Sequence, residues 1–177
     1  MKNVLLLIIV LALTLTSASC SNGGTDIGIL GDNDEIIADK TFNKIITTIG
    51  SNDDSTMVNM FSNIVKSEVD LSHAVLLFYD FIQGDIVSFS SASEAGVGAD
   101  YQTESGKIRK EIQSAFCIST TENTYYIAIK ECVKEEIDDN NIGIVSIYIM
   151  ESNNWKEDHV YCGDGEWLPG INIVTPS

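Results

Sequence analysis

The chain of 177 residues carries 26 Asp and Glu against 10 Lys and Arg, a formal net charge of −16. A surface that acidic repels phosphate backbones and anionic headgroups, which argues against nucleic acid as a partner and against the protein surface itself as a membrane contact. The four cysteines and two histidines show no Cys-x-x-Cys or Cys/His spacing, so no metal centre and no cofactor are expected.

Lys2 is the one positive side chain ahead of Val4–Leu13, an unbroken apolar run. A membrane-spanning helix needs about 20 such residues. This run is shorter and has the length of a signal-peptide core. Ser17-Ala18-Ser19 supplies the small residues of a cleavage site, and Cys20 follows directly. The arrangement resembles a bacterial lipobox with Ser17 in the place of the usual leucine. It implies cleavage before Cys20 and acylation of that cysteine, which anchors the protein to a membrane from outside the cytoplasm. Simple secretion and an uncleaved anchor are the alternatives. Buried acyl chains contribute about 0.8 kcal/mol per methylene, and more than one chain holds stably. Ser21–Asp26 (SNGGTD) reads as a flexible tether. The expected organisation is therefore a signal peptide over 1–19, a tether over 20–33, one domain over 34–173 and a tail over 174–177. Once Cys20 is acylated, Cys117, Cys132 and Cys162 form an odd set that cannot all pair.

Three helical stripes follow. Ala38, Phe42, Ile45, Ile46 and Ile49 recur at the spacing of an amphipathic helix, closed by Gly50. Ser51 or Asp53 can cap a second helix whose stripe is Met57, Met60, Phe61, Ile64 and Val65. Leu71, Ala74, Val75, Phe78 and Ile82 form a third, ended by Gly84. The period then changes. Asp85–Phe89 reads as a short strand, Ser90–Gly106 as a polar, Gly-rich loop, and Lys107–Ser119, Tyr125–Lys134 and Ile142–Glu151 as strands joined by short turns. Short turns imply antiparallel pairing. Setting Cys117 opposite Tyr126 places Ile112, Ser114, Phe116, Ile118, Ile127, Ile129, Glu131, Val145, Ile147 and Ile149 on one face. That face is apolar except for one carboxylate and one hydroxyl, and the striped helices must cover it. Gln113, Cys117, Tyr126, Lys130, Cys132, Ser146 and Tyr148 take the opposite, partly wet face. Cys117 and Cys132 lie several rungs apart there, which argues against a disulfide between them and leaves the pairing of Cys132 with Cys162 open.

Helices followed by an antiparallel sheet folded over them is the order of the cone-shaped NTF2-like (cystatin-like) fold. The segments Ala38–Ser62, Phe78–Phe89, Lys107–Ile129, Asn141–Ile149 and Gly163–Ile173 resemble the bacterial lipoprotein family named domain of unknown function 5104 (DUF5104). The resemblance implies an exported, lipid-anchored NTF2-like domain of the α+β class and no particular activity. Cones of this kind often enclose an apolar pocket, which leads to the first functional reading: binding of a small apolar ligand or of a partner in the cell envelope. Tyr79, Ser114, Phe116, Glu131 and Trp167 are the candidates to line such a pocket, each with a packing role as its alternative. Glu131 either faces the helices, and then needs a partner or a proton, or is solvated at the end of the sheet. A second reading is an isomerase- or dehydratase-like enzyme in which Glu131, Asp80 or His73 acts as a base. A third is a pocketless envelope interaction or inhibitor protein.

Overall fold

A computed structural model of the chain describes residues 34–91, 96–154 and 166–175. The signal peptide, Cys20, the tether, His159 and Cys162 lie outside the described residues. Four helices come first: α1 (Asp34–Ser51), α2 (Asp54–Asn59), α3 (Asn63–Glu68) and α4 (Leu71–Phe81). Six strands follow: β1 (Ile86–Phe89), β2 (Val97–Glu104), β3 (Lys107–Thr120), β4 (Thr124–Glu135), β5 (Gly143–Glu151) and β6 (Gly170–Val174). They form one open sheet in the order β1-β3-β4-β5-β6, with β2 also paired to β3. The protein is therefore α+β, with a mostly antiparallel sheet.

The helices start where side-chain oxygens can take up free backbone N–H groups. Asp53 accepts from Thr56 N at the head of α2, Ser62 from Val65 N at the head of α3, and Asp70 from His73 N at the head of α4. The stripe over Met57–Val65, expected to be one helix, is thus two short helices. The link between them extends and pairs with the start of β5: Ser62 N donates to Ile144 O at 3.0 Å, and Ile144 N to Met60 O at 2.9 Å. Met57, Phe61 and Val65 still all point into the core, so the apolar period passes through the break without revealing it. The link runs close to Gly143, at φ +125°, where an added Cβ would lie 2.8 Å from Ser62 N and 2.9 Å from Met60 O.

The central meander has the expected register, with Cys117 opposite Tyr126, Ile127 opposite Ile149 and Ile129 opposite Ile147. Ile112, Phe116, Ile118, Ile127, Ile129, Ile147 and Ile149 are buried against Ala38, Phe42 and Ile45 of α1 and Val75 and Phe78 of α4. The Phe42 ring lies flat on Phe116, with centroids 3.9 Å apart.

Three expectations need correction. Ser90–Gly106 is not a loop throughout. Residues 97–104 form β2, hydrogen-bonded to β3 along its whole length. Val97, Ala99, Tyr101 and Thr103 alternate with more polar residues, but from Asp100 onward every side chain is exposed, and so weak a contrast does not stand out from a loop. The hairpin turns at Ser105-Gly106, both with positive φ (52° and 80°), the geometry a two-residue hairpin turn demands. Val145 does not take the rung opposite Glu131. The pairing shifts between Lys130 and Glu131, so Ile144 stands opposite Glu131 and Val145 is the extra residue of a bulge. Finally, the segment around Gly170 adds β6, which runs parallel to β5 rather than antiparallel.

Gly143→Ala is expected to destabilise the protein by about 1–3 kcal/mol, because the new methyl meets backbone and φ leaves the range of L side chains. Urea denaturation of the two proteins checks this. Equal midpoints would show that the link and β5 separate at little cost.

Candidate functional site

Two bulges shape the C-terminal half of β4. One lies opposite Lys110 and Glu111, the other opposite Lys130 and Glu131. Alternation along β4 sends Tyr125, Ile127, Ile129 and Glu131 toward the helices. The N-terminal half of α1 covers Glu131 instead of leaving it at a wet edge, and the residue is 7 % exposed. Glu131 Oε2 accepts a 2.8 Å hydrogen bond from Thr41 Oγ1 of α1. Its other oxygen, Oε1, is buried with no partner among the described residues. The same is true of Ser114 Oγ, on the neighbouring strand and the same face. A carboxylate stripped of water and given one hydroxyl is a poor anion. Burial pushes the Glu131 carboxyl up to about 7, against smaller opposing effects of the Thr41 hydrogen bond and the Lys44 charge.

Ser114, Phe116 and Glu131 therefore come together under α1, although Phe116 is occupied by its stack on Phe42. Tyr79 is directed elsewhere. Its hydroxyl donates to the carbonyl of Asp53 at 3.2 Å and ties α4 to the head of α2. Trp167 is on the opposite side of the sheet, edge-on to Tyr148 at 5.8 Å, in a second apolar cluster with Ala128 and Met150. There the segment before β6 is fixed to β5, since Ser146 Oγ donates to Leu168 O and Leu168 N donates to Tyr148 Oη. Trp167 thus packs the tail onto the sheet and does not share a space with Glu131. Asp80 and His73 are exposed. Cys117 and Cys132 are free thiols, each pushed up by burial.

Thr41 was not among the expected residues. It lies three residues after Ala38 and four before Ile45, a hydroxyl at the edge of an apolar stripe, and that position was its only signal. The outer face held a larger surprise. Glu111 is nearly buried there and receives Arg109 Nη2 at 2.5 Å and Lys130 Nζ at 2.8 Å. Burial alone would raise its pKa, but the hydrogen bonds from Lys130 and Arg109 outweigh it and hold the carboxyl below its usual range. Two glutamates on adjacent strands thus meet opposite fates: one is paired, the other is not.

The family model for a domain of unknown function (DUF5104) matches residues 44–152, more than half of the chain. The match contains Tyr79, Ser114, Phe116 and Glu131 and leaves out Thr41 and Trp167. No curated protein matches the chain.

Glu131 has a measurable signature. Between its unperturbed 4.5 and about 7 the folded protein binds this proton more tightly than the unfolded chain. The resulting stabilisation is complete below the lower value and is lost as pH rises through the upper one, about 3 kcal/mol in all. Glu131→Gln, which keeps the shape and removes the charge, is expected to fold and to lack this loss. Its urea stability relative to the native protein should rise by about 3 kcal/mol from pH 4.5 to pH 8. Two parallel stability–pH curves would mean that the carboxyl is solvated.

Proposed function

We propose, for a chain that belongs to the DUF5104 family, a non-catalytic binding role in an exported, lipid-anchored domain of NTF2-like form. The ligand is a small, largely apolar molecule with one hydrogen-bonding group. The observation that carries this reading is the pair of buried oxygens without partners, Glu131 Oε1 and Ser114 Oγ, on one otherwise apolar face. Unsatisfied buried polar atoms cost roughly 1–3 kcal/mol each, and a hydroxyl placed between the two would satisfy both. Helices layered on one face of a bulged antiparallel sheet support the cone-like reading of the fold.

A second reading is favoured by the proton affinity of Glu131. A carboxyl poised at about 7 can take a proton from a carbon acid and return it, the work of an isomerase or dehydratase. The binding role stands first because Thr41 is the one side chain hydrogen-bonded to Glu131 among the described residues, and a proton relay needs a second hydrogen-bonded group.

Solvent extraction of the full-length chain, followed by mass spectrometry, tests the binding role. A small molecule recovered with the native protein and lost from both Ser114→Ala and Glu131→Gln is the expected result. Identical extracts from all three proteins would end the proposal.

Lipid anchoring is tested apart from it. Cys20→Ala is expected to abolish incorporation of an alkyne-tagged fatty acid and to release the protein from the membrane fraction. Unchanged labelling would place the acyl group elsewhere.

A further inference from the structure

The outer face of the sheet carries a second polar site, unrelated to Glu131. Where β2, β3 and β4 end together, a groove of about 240 Å³ opens. Its floor is Arg109 and Glu135, and its rim is formed by Gln102, Glu104 and Lys107 of the β2–β3 hairpin and by Asn141 of the β4–β5 connection. Ile137, a half-exposed side chain, supplies one apolar wall.

The two floor residues are held in place but not used up. Arg109 gives its Nε and Nη2 to Glu111. Its Nη1 lies 3.7 Å from Glu135 Oε2, an ion pair too long to be a hydrogen bond. The Nη1 protons are therefore still available. Glu135, almost fully buried, accepts from Ile137 N through Oε1, which leaves Oε2 with only the long contact to Arg109. On the rim, Lys107 and Glu104 face each other across the hairpin yet form no ion pair, and the side-chain amides of Gln102 and Asn141 make no hydrogen bond among the described residues.

Two cations stand on the same face of β3, two residues and roughly 7 Å apart. Together they offer a seat for a carboxylate, with the guanidinium in the floor and the ammonium on the rim. Glu135 Oε2 and Glu104 offer a matching seat for an ammonium group. Two positive and two negative side chains make the groove neutral. That neutrality decides between ligand classes, since a protein of net charge −16 repels simple anions from solution. A molecule that carries both charges and no net charge is not repelled. Size narrows the choice further. Drug-sized ligands occupy roughly 300–1,000 Å³, and this groove is smaller. We infer that the groove bounded by Arg109, Glu135, Lys107 and Glu104 binds a small zwitterion, an α-amino acid or dipeptide with an apolar side chain laid against Ile137.

The test is a titration of the full-length, ¹⁵N-labelled chain followed by amide shifts. The probes are L-leucine and leucyl-leucine, with N-acetyl-L-leucine, L-leucinamide and sodium acetate as controls at matched ionic strength. Saturable shifts confined to the amides of Gln102, Arg109, Ile137 and Asn141 are expected with at least one of the two zwitterions, and comparison of the two separates free amino acid from peptide. Each blocked compound, which keeps one charge only, should bind at least about tenfold more weakly. Lys107→Gln and Glu104→Gln alter exposed rim residues and should leave the rest of the spectrum unchanged while weakening the zwitterion about fivefold or more. The inference fails if no shift saturates up to about 10 mM of either zwitterion. It also fails if acetate or N-acetyl-L-leucine binds as well as L-leucine, which would make the groove a plain anion site.

Discussion

One face of β3, β4 and β5 has to be kept from water, and α1, together with α4, does it. Ile112, Phe116, Ile127, Ile129, Ile147 and Ile149 present a continuous apolar surface, and Ala38, Phe42 and Ile45 close over it. At roughly 25 cal/mol per Å² of apolar surface, this contact is the dominant favourable contribution available to a domain of this size. Everything unusual about Glu131 follows from it. The helix that must lie flat on the isoleucines also lies over the end of β4, and it brings one hydroxyl, from Thr41, where a solvated carboxylate would have many water molecules.

The two faces of the sheet solve the same problem in opposite ways. On the outer face Glu111 is as deeply placed as Glu131 is on the inner one, but Lys130 and Arg109 reach it directly. A buried charge with two hydrogen-bonded cations keeps its charge; a buried acid with a single hydroxyl tends to keep its proton. Both glutamates sit beside a bulge in the β3–β4–β5 ladder. The extra residue in each case tilts the neighbouring side chains and lets the strand ends close around a polar group instead of splaying into solvent.

Much of this architecture could be read from the sequence because it depends on period. The stripe from Ala38 to Ile49 and the alternation Tyr125-Ile127-Ile129-Glu131 each point one way only, and the short turn at Thr120–Thr124 fixed the register of β4 against β3. What escaped lacked a period or kept the wrong one. The Met57–Val65 stripe continues across a helix break because Phe61 serves equally well in an extended link. β2 alternates only weakly, through Val97, Ala99 and an exposed Tyr101, and its clearest local signal was Ser105-Gly106. The displacement of Val145 by Ile144 depends on a bulge, which is a property of two strands together. Trp167 was legible as a bulky residue in the tail, but its side of the sheet is set by β6 running parallel to β5. The burial of Glu131 is likewise a tertiary fact: the residue is four from the end of its strand, and only the length and tilt of α1 decide whether water reaches it.

The pairing of Phe61 with Ile144 has a kinetic side. It joins segments separated by nearly the whole sheet-forming region, so its loop-closure entropy is opposed only after the intervening strands have docked. The β3–β4–β5 meander, whose turns are short, can assemble on its own contacts beforehand. The helical layer is then locked late, when Gly143 arrives to receive the Met60–Ser62 backbone. A chain that emerges from one end would thus carry its helices loosely until β5 is made, with the inner isoleucines still open to water.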